Sequence, residues 1–363
     1  MAIASRSEPE TDWLAGVRGA FAMACDASPS AVHEWYLRLC GRPVRLRAVG
    51  RELTEQLTRC FETLQDATIA GARASAVAVD LSIHAWDRAA TNVGCPGIPH
   101  APDTTDVLGS GLVSQFRQGR LLRYDRAAMV KCFDRASKEL FVCVADARRT
   151  DLADRCKPFP HFLATWCHDG GVEVLHAGLV SRRGRGVLLG GGPGSGKSTC
   201  AVVAALAGFD FLGDDCVGTE ITLTECRGHA CYNAVRVDDG NLQRLPVLRS
   251  HCYAPSSPRD KKKSLVYMSD VIPGRTVAST TIVAIAVPRI VGSGPSRLVP
   301  AGKGATLRKL APSTLLRGLG SRADGLAHIA ELVRRLPCYE LELGAVVDDV
   351  PGCLDALLAS VGP

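Results

Sequence analysis

Gly191-Gly192-Pro193-Gly194-Ser195-Gly196-Lys197-Ser198-Thr199 reads as G-x-x-x-x-G-K-[ST] in full, a Walker A phosphate loop, and it dictates its own surroundings. Such a loop works only between a strand and a helix. Its glycines let consecutive backbone N–H groups turn inward into an anion-binding concavity. The helix N-terminus adds its dipole and its unsatisfied donors. Both neighbours are legible: Gly186–Leu189 (GVLL) is an apolar strand, and Thr199–Ala207 (TCAVVAALA) is a helix. Lys197 then puts its charge on the β- and γ-phosphates, and the Ser198 hydroxyl ligates Mg²⁺. The loop establishes phosphate binding and nothing finer, because GTPases, ATPases, kinases and phosphorylases all share it.

A second pattern follows closely. Asp214 lies sixteen residues past Ser198, within Phe211-Leu212-Gly213-Asp214-Asp215-Cys216-Val217. An ordinary Walker B strand ends in one Asp; here there are two. One carboxylate can hold Mg²⁺ while the other takes a proton from an alcohol. Neighbours on an extended strand point to opposite faces. Both acids therefore reach one phosphate only if the strand has already turned, which Gly213 permits. A solvated strand-end turn is the bland alternative, and the preceding phosphate loop weighs against it. A third pattern precedes the loop. In Val174-Leu175-His176-Ala177-Gly178-Leu179-Val180, His176 opens the strand hairpin that leads into it.

Together the three pieces resemble the HPr kinase/phosphorylase family, whose pattern is a His opening an H-G-x-x-V-like strand, a phosphate loop, and an A-D-D-like strand end. The motif-level match covers about residues 170–220. The wider layout looks like bacterial HPr-kinase-like serine kinases found beside peptide-modifying genes, and it uses Ile83-His84-Ala85-Trp86-Asp87, Ala311-Pro312-Ser313-Thr314 and Pro337–Gly344. The resemblance implies a kinase core of the phosphoenolpyruvate-carboxykinase type, using ATP and Mg²⁺ to phosphorylate a serine on a peptide, protein or small molecule, as in peptide natural-product maturation. By position it makes Lys197 the phosphate-binding cation and Ser198 a metal ligand. Asp214 and Asp215 share metal binding and base catalysis, with Asp215 favoured as the base and Asp214 as the metal ligand. His176 lines the same pocket. The Gly-Arg-Gly-rich signature that HPr kinases carry after the core is missing, so the acceptor need not be HPr. A nucleotide-binding accessory subunit without transfer activity is the competing reading. The second carboxylate weighs against it, because a pure binder needs only one for Mg²⁺.

The remaining sequence sets the frame. Apolar residues make up 46% of the 363 and charged residues 22%, which excludes a disordered chain, a collagen-like rod and a disulfide miniprotein. A net charge of +6 suits a nucleotide or phosphorylated partner but makes no nucleic-acid-binding face. The fifteen cysteines are scattered, with no C-x-x-C pair or zinc-finger spacing, and read as reduced thiols of a cytoplasmic protein. Neither a signal peptide nor a membrane span is expected.

The expected fold class is α/β, or α+β overall: a C-terminal phosphate-loop kinase core with an N-terminal α+β domain. Three stretches are expected. Residues 1–42 form a helical segment, with helices around Trp13–Ala24 and Ala31–Leu39. Residues 43–150 form a small α+β domain with strands at Pro43–Val49, Leu81–Trp86, Leu121–Tyr124 and Leu140–Ala145, a helix at Glu52–Leu64 and a loop over Thr91–Gly111. Residues 151–363 hold the nucleotide-binding domain, with a strand at Thr281–Val287, a helix around Glu331, a strand at Tyr339–Leu343 and a last helix from Pro351. Arg236, Lys263 and Arg289 are weighed as cations facing the phosphoryl group, each more readily a solvated surface charge. Ser256–Ser264, with Arg259 and Lys261–Lys263, is a candidate basic loop. Tyr232 and Asn233 stand between ligand contact and core packing, His84 and Trp86 read as structural, and Cys200 and Cys216 as inert filler.

Overall fold

The structure, a computed structural model, describes residues 9–71, 78–97, 102–108, 111–116, 118–126, 128–255, 260, 262–315 and 322–362. Two compact units divide the chain. The first takes most of the chain up to Thr150, and the second takes Leu39–Gly41, Arg59–Leu64 and the chain from Asp151 on. Both are mixed α/β. Among the described residues no helix is long and apolar enough to cross a membrane.

The first unit is built on one sheet. Its strands are β1 (Val32–Leu39), β2 (Arg42–Val49), β3 (Leu81–Asp87), β4 (Thr104–Leu108), β5 (Gly111–Phe116), β6 (Leu121–Arg126), β7 (Met129–Asp134) and β8 (Glu139–Val144). Their order is β1-β2-β3-β8-β7-β6-β5-β4. β2, β3 and β8 run parallel, and β8 back to β4 is an antiparallel meander. The helix Pro9–Ala27 lays Val17, Phe21 and Ala24, spaced as one helical face, into a cluster with Trp86, Phe116 and Phe141.

Ala31–Leu39 was expected as a helix, and Val32–Leu39 is a strand. The segment Val-His-Glu-Trp-Tyr-Leu-Arg-Leu fits either period. The deciding feature lies just beyond it: Cys40 and Gly41 both take left-handed backbone, at φ 49° and 75°. Two such residues in a row make the tight turn whose twist matches a β-hairpin, so the segment folds back on β2. The expected loop Thr91–Gly111 contains edge strand β4, whose Thr104, Thr105 and Val107 are exposed. β5 and β7 escaped notice because buried Ser114 and Lys131 interrupt their apolar pattern.

The second unit holds β9 (Glu173–Leu175), β10 (Gly178–Arg182), β11 (Arg185–Leu189), β12 (Asp210–Gly213), β13 (Val217–Ile221), β14 (Cys226–Ala230), β15 (Ala234–Asp238), β16 (Cys252–Tyr253), β17 (Lys263–Tyr267), β18 (Ser279–Ile290), β19 (Arg297–Pro300) and β20 (Cys338–Leu343). The main sheet runs β12-β10-β11-β18-β14-β13-β9, with β20 beside the second half of β18 and β19 beyond it. β18 pairs in parallel with β11 and β20; the other pairs are antiparallel. β15-β17-β16 form a separate small sheet. The helix Lys197–Leu206 is apolar nearly all round and buries every residue from Cys200 to Ala205 in a cluster with Val187, Leu189, Leu354 and Leu357. A helix without a polar face belongs inside a core.

Arg59–Leu64 belongs to this unit through packing. Phe61 stacks on Phe159 at 6.0 Å between centroids and meets Tyr232 at 5.6 Å. The Cys60 thiol donates to the Cys156 carbonyl at 3.2 Å. Phe61→Ala is expected to cost about 3–5 kcal/mol, the usual worth of a buried aromatic ring. The check is the denaturant midpoint of the full chain; an unchanged midpoint would show that Phe61 supports nothing.

Candidate phosphate-binding site

One strand gathers the site. β10 pairs with β11 on one side and β12 on the other, and its first residues face the ends of both: Gly178 opposite Leu189, and Leu179 opposite Gly213. The phosphate loop leaves the end of β11, the two aspartates leave the end of β12, and His176 lies just before β10. Three motifs separate in sequence thus meet at one end of the sheet.

In the loop, Gly191, Gly194 and Gly196 have φ of 132°, 77° and 101°. Gly196 is required twice over, because a Cβ there would also lie 2.5 Å from Leu343 Cδ1. Pro193 and Gly194 are exposed at the tip, beside half-exposed Gly192. Lys197 is only 4% exposed, and its Nζ donates to the carbonyls of Gly191 at 2.9 Å and Gly192 at 3.0 Å. The Ser195 Oγ is buried with no hydrogen-bond partner among the described residues. Thr199 turns aside and donates to Asn241 Oδ1 at 3.0 Å.

The strand carrying the aspartates does turn, but Gly213 is not the residue that turns it. Asp215 itself takes left-handed backbone, at φ 63°. Gly213 is needed for closeness, since a Cβ there would sit 2.7 Å from Val217 Cγ1 and 3.1 Å from the Cys216 carbonyl oxygen. The turn gives the two acids different company. His176 Nε2 lies 2.8 Å from Asp215 Oδ1, and Lys157 Nζ lies 3.4 Å from Asp215 Oδ2. Asp214 is 4% exposed, with its Oδ1 lacking a hydrogen-bond partner among the described residues. Burial first, and the Asp215 charge second, raise the Asp214 pKa to about 6, against the pull of Lys157, the Ser198 hydrogen bond and Lys197. Burial, the largest single influence, disfavours the Lys157 ammonium, but Asp215, Cys156, Asp214 and Cys216 together outweigh it and the net shift is upward.

These residues fit a hard divalent cation. The Ser198 hydroxyl and an unsatisfied, desolvated Asp214 oxygen are the donors Mg²⁺ takes, with water and phosphate oxygens supplying the rest. Among the described residues no group of three or more His, Cys, Asp or Glu side chains could hold a metal unaided.

Lys157 escaped sequence reading because a single lysine in Cys-Lys-Pro belongs to no motif. The cations that were weighed are placed elsewhere. Arg289 pairs with Glu340 and Glu342. Arg236 donates to the Asp260 carbonyl at 2.6 Å. Lys263 lies in β17 of the small sheet. Arg259 and Lys261 fall outside the described residues. Tyr232 is buried and donates to the Pro158 carbonyl at 2.8 Å, while Asn233 hydrogen-bonds Ser269. Burial pushes the Cys200 thiol up to about 12, and a hydrogen bond to Cys231 followed by burial raises that of Cys216, so neither is a ready nucleophile. His84 is packed between Phe21 and Phe141, and Trp86 is fully buried.

No protein-family model matches this sequence, and no curated protein matches it. Among solved structures, the Hpr(Ser) kinase/phosphatase from Coxiella burnetii is similar over 52% of this chain and 94% of its own, at 10% identity and a TM-score of 0.27. A likeness of that degree carries no argument about this chain.

The Asp214 shift has a signed consequence. The carboxyl keeps its proton in the folded chain up to about pH 6, whereas the unfolded chain releases it near 3.8. Stability therefore falls as pH rises through that window, and the full penalty applies above it. Asp214→Asn is expected to be more stable than the wild type at pH 7 and to lose this slope. Urea midpoints between pH 4 and 8 provide the check, and an Asn variant with an unchanged slope would contradict it.

Proposed function

We propose that the chain is an ATP- and Mg²⁺-dependent kinase that phosphorylates a serine hydroxyl on a peptide, protein or small-molecule acceptor. The observation that carries this reading is the division of labour between the two acids. Asp214 lies beside Ser198 with an oxygen to spare, while Asp215 is held by His176 and Lys157. A site that only retained nucleotide would need the first acid and not the second.

In this reading the loop from Gly191 to Thr199 cradles the phosphates with its N–H groups. Lys197 exchanges the Gly191 and Gly192 carbonyls for phosphate oxygens. Ser198 and Asp214 hold Mg²⁺, whose chemistry is to neutralise charge on the phosphates. Asp215 receives the hydroxyl proton. His176 orients that carboxylate.

Two variants test the reading. Lys197→Ala should weaken Mg²⁺-dependent ATP binding at least ~10-fold, the worth of a charged hydrogen bond. Asp215→Asn should bind ATP normally yet lose transfer by ~10²–10⁴-fold, the worth of a positioned base. Calorimetry measures the first and single-turnover transfer from labelled ATP to a serine-peptide library the second. Wild-type protein that binds ATP but labels no acceptor would overturn the kinase reading.

A further inference from the structure

Lys157 belongs to no sequence motif, and the fold goes to some length to present it. It follows directly on the helix Leu152–Cys156, and its own N–H bonds the Ala153 carbonyl at 3.2 Å. The carbonyls on either side are held by buried side chains. Cys60 Sγ bonds that of Cys156 at 3.2 Å, and Tyr232 Oη bonds that of Pro158 at 2.8 Å. Phe159, with left-handed backbone at φ 43°, is buried against Phe61. At the start of the same helix, Asp260 Oδ1 accepts the Leu152 N–H at 2.8 Å. A surface lysine needs none of this, since its stem lies along the protein while its head stays in water. Here the side chain is 18% exposed and ends on a carboxylate.

The contact falls on a specific oxygen. His176 takes Asp215 Oδ1 and Lys157 takes Asp215 Oδ2, so two segments far apart in sequence grip one carboxylate from both ends. Asp215 needs such a grip. Its left-handed backbone turns it out of the strand, so contacts from other segments must set where its carboxylate lies. It also abuts a second acid in a buried turn, where two carboxylates repel unless a cation lies against them. Lys197, the other ammonium in the cluster, is committed to the phosphate loop.

Resting on the kinase reading, we infer that Lys157 is a positioning residue for phosphoryl transfer: its ammonium and His176 together fix the Asp215 carboxylate at the angle from which it takes the acceptor proton. In that step the serine oxygen forms a bond to the γ-phosphorus, the bond from that phosphorus to the β–γ bridging oxygen breaks, and ADP leaves with the electron pair. The hydroxyl proton passes to Asp215. Lys157 and His176 keep their protons throughout.

The test measures ATP affinity and single-turnover transfer from labelled ATP to a serine peptide, using the full chain. Lys157→Met should slow transfer ~10²-fold, at the lower end of what a positioned base contributes, with ATP affinity changed less than ~3-fold. Lys157→Arg, which keeps the charge, should recover at least ~10-fold of that loss. The double variant Lys157→Met/Asp215→Asn should be no slower than Asp215→Asn alone, because both act through one group. If the Met variant melts early, Lys157→Gln takes its place. A Lys157→Met rate near the wild type, a loss expressed in ATP affinity instead, or a double variant showing the product of both losses would each overturn the inference. Transfer that survives Asp215→Asn alone would instead sink the assignment of the base, so the two failures are distinguishable.

Discussion

Two carboxylates placed side by side in a buried turn are the hardest thing this protein holds, and much of its second unit can be understood as accommodating them. Asp214 and Asp215 repel each other, and burial removes the water that would screen them. One answer is the Lys157 ammonium, brought against the pair from a distant segment. Another is the left-handed turn at Asp215, where His176 meets the second carboxylate. A third is deferred: Asp214 keeps an oxygen with no hydrogen-bond partner among the described residues, beside the Ser198 hydroxyl. An unsatisfied carboxylate oxygen in a dry site is costly, and a divalent cation is the natural way to satisfy it.

The sheet makes this crowding possible. β10 is the strand that pairs with both β11 and β12, and its register brings Leu189 and Gly213 to the same end. The phosphate loop, the acidic turn and His176 therefore converge without any long excursion of the chain. Behind the loop, the helix Lys197–Leu206 is buried on nearly every face, so the loop is seated on packed core instead of on a mobile surface turn. Fixed N–H groups and a fixed carboxylate are what the proposed transfer would draw on.

Much of the local structure was legible in advance. The strand Gly186–Leu189, the loop, the following helix and the turn after Gly213 could all be placed, because glycine spacing and an uninterrupted apolar run are local signals. Where reading failed, the competing effect can be named. Val32–Leu39 fits helical and strand periods alike, and the hairpin turn beyond it settles the matter. In edge strand β4, Thr104, Thr105 and Val107 are all exposed, and buried Ser114 and Lys131 break the pattern in β5 and β7. Gly213 drew notice as the pivot of the acidic turn, yet Asp215 takes the unusual backbone and Gly213 serves close packing.

The amino-acid sequence by itself determined that a glycine-rich G-x-x-x-x-G-K-[ST] loop exists, where it lies, and that two acids and a histidine flank it, since these follow from residue type and short spacing. The tertiary structure decided which group each acid faces. Lys157 reaches Asp215 across fifty-eight residues of sequence and His176 across thirty-nine. Asp214 and Asp215 are chemically identical and adjacent in the chain. What separates their surroundings is desolvation and charge, and those are set by side chains that only folding brings near.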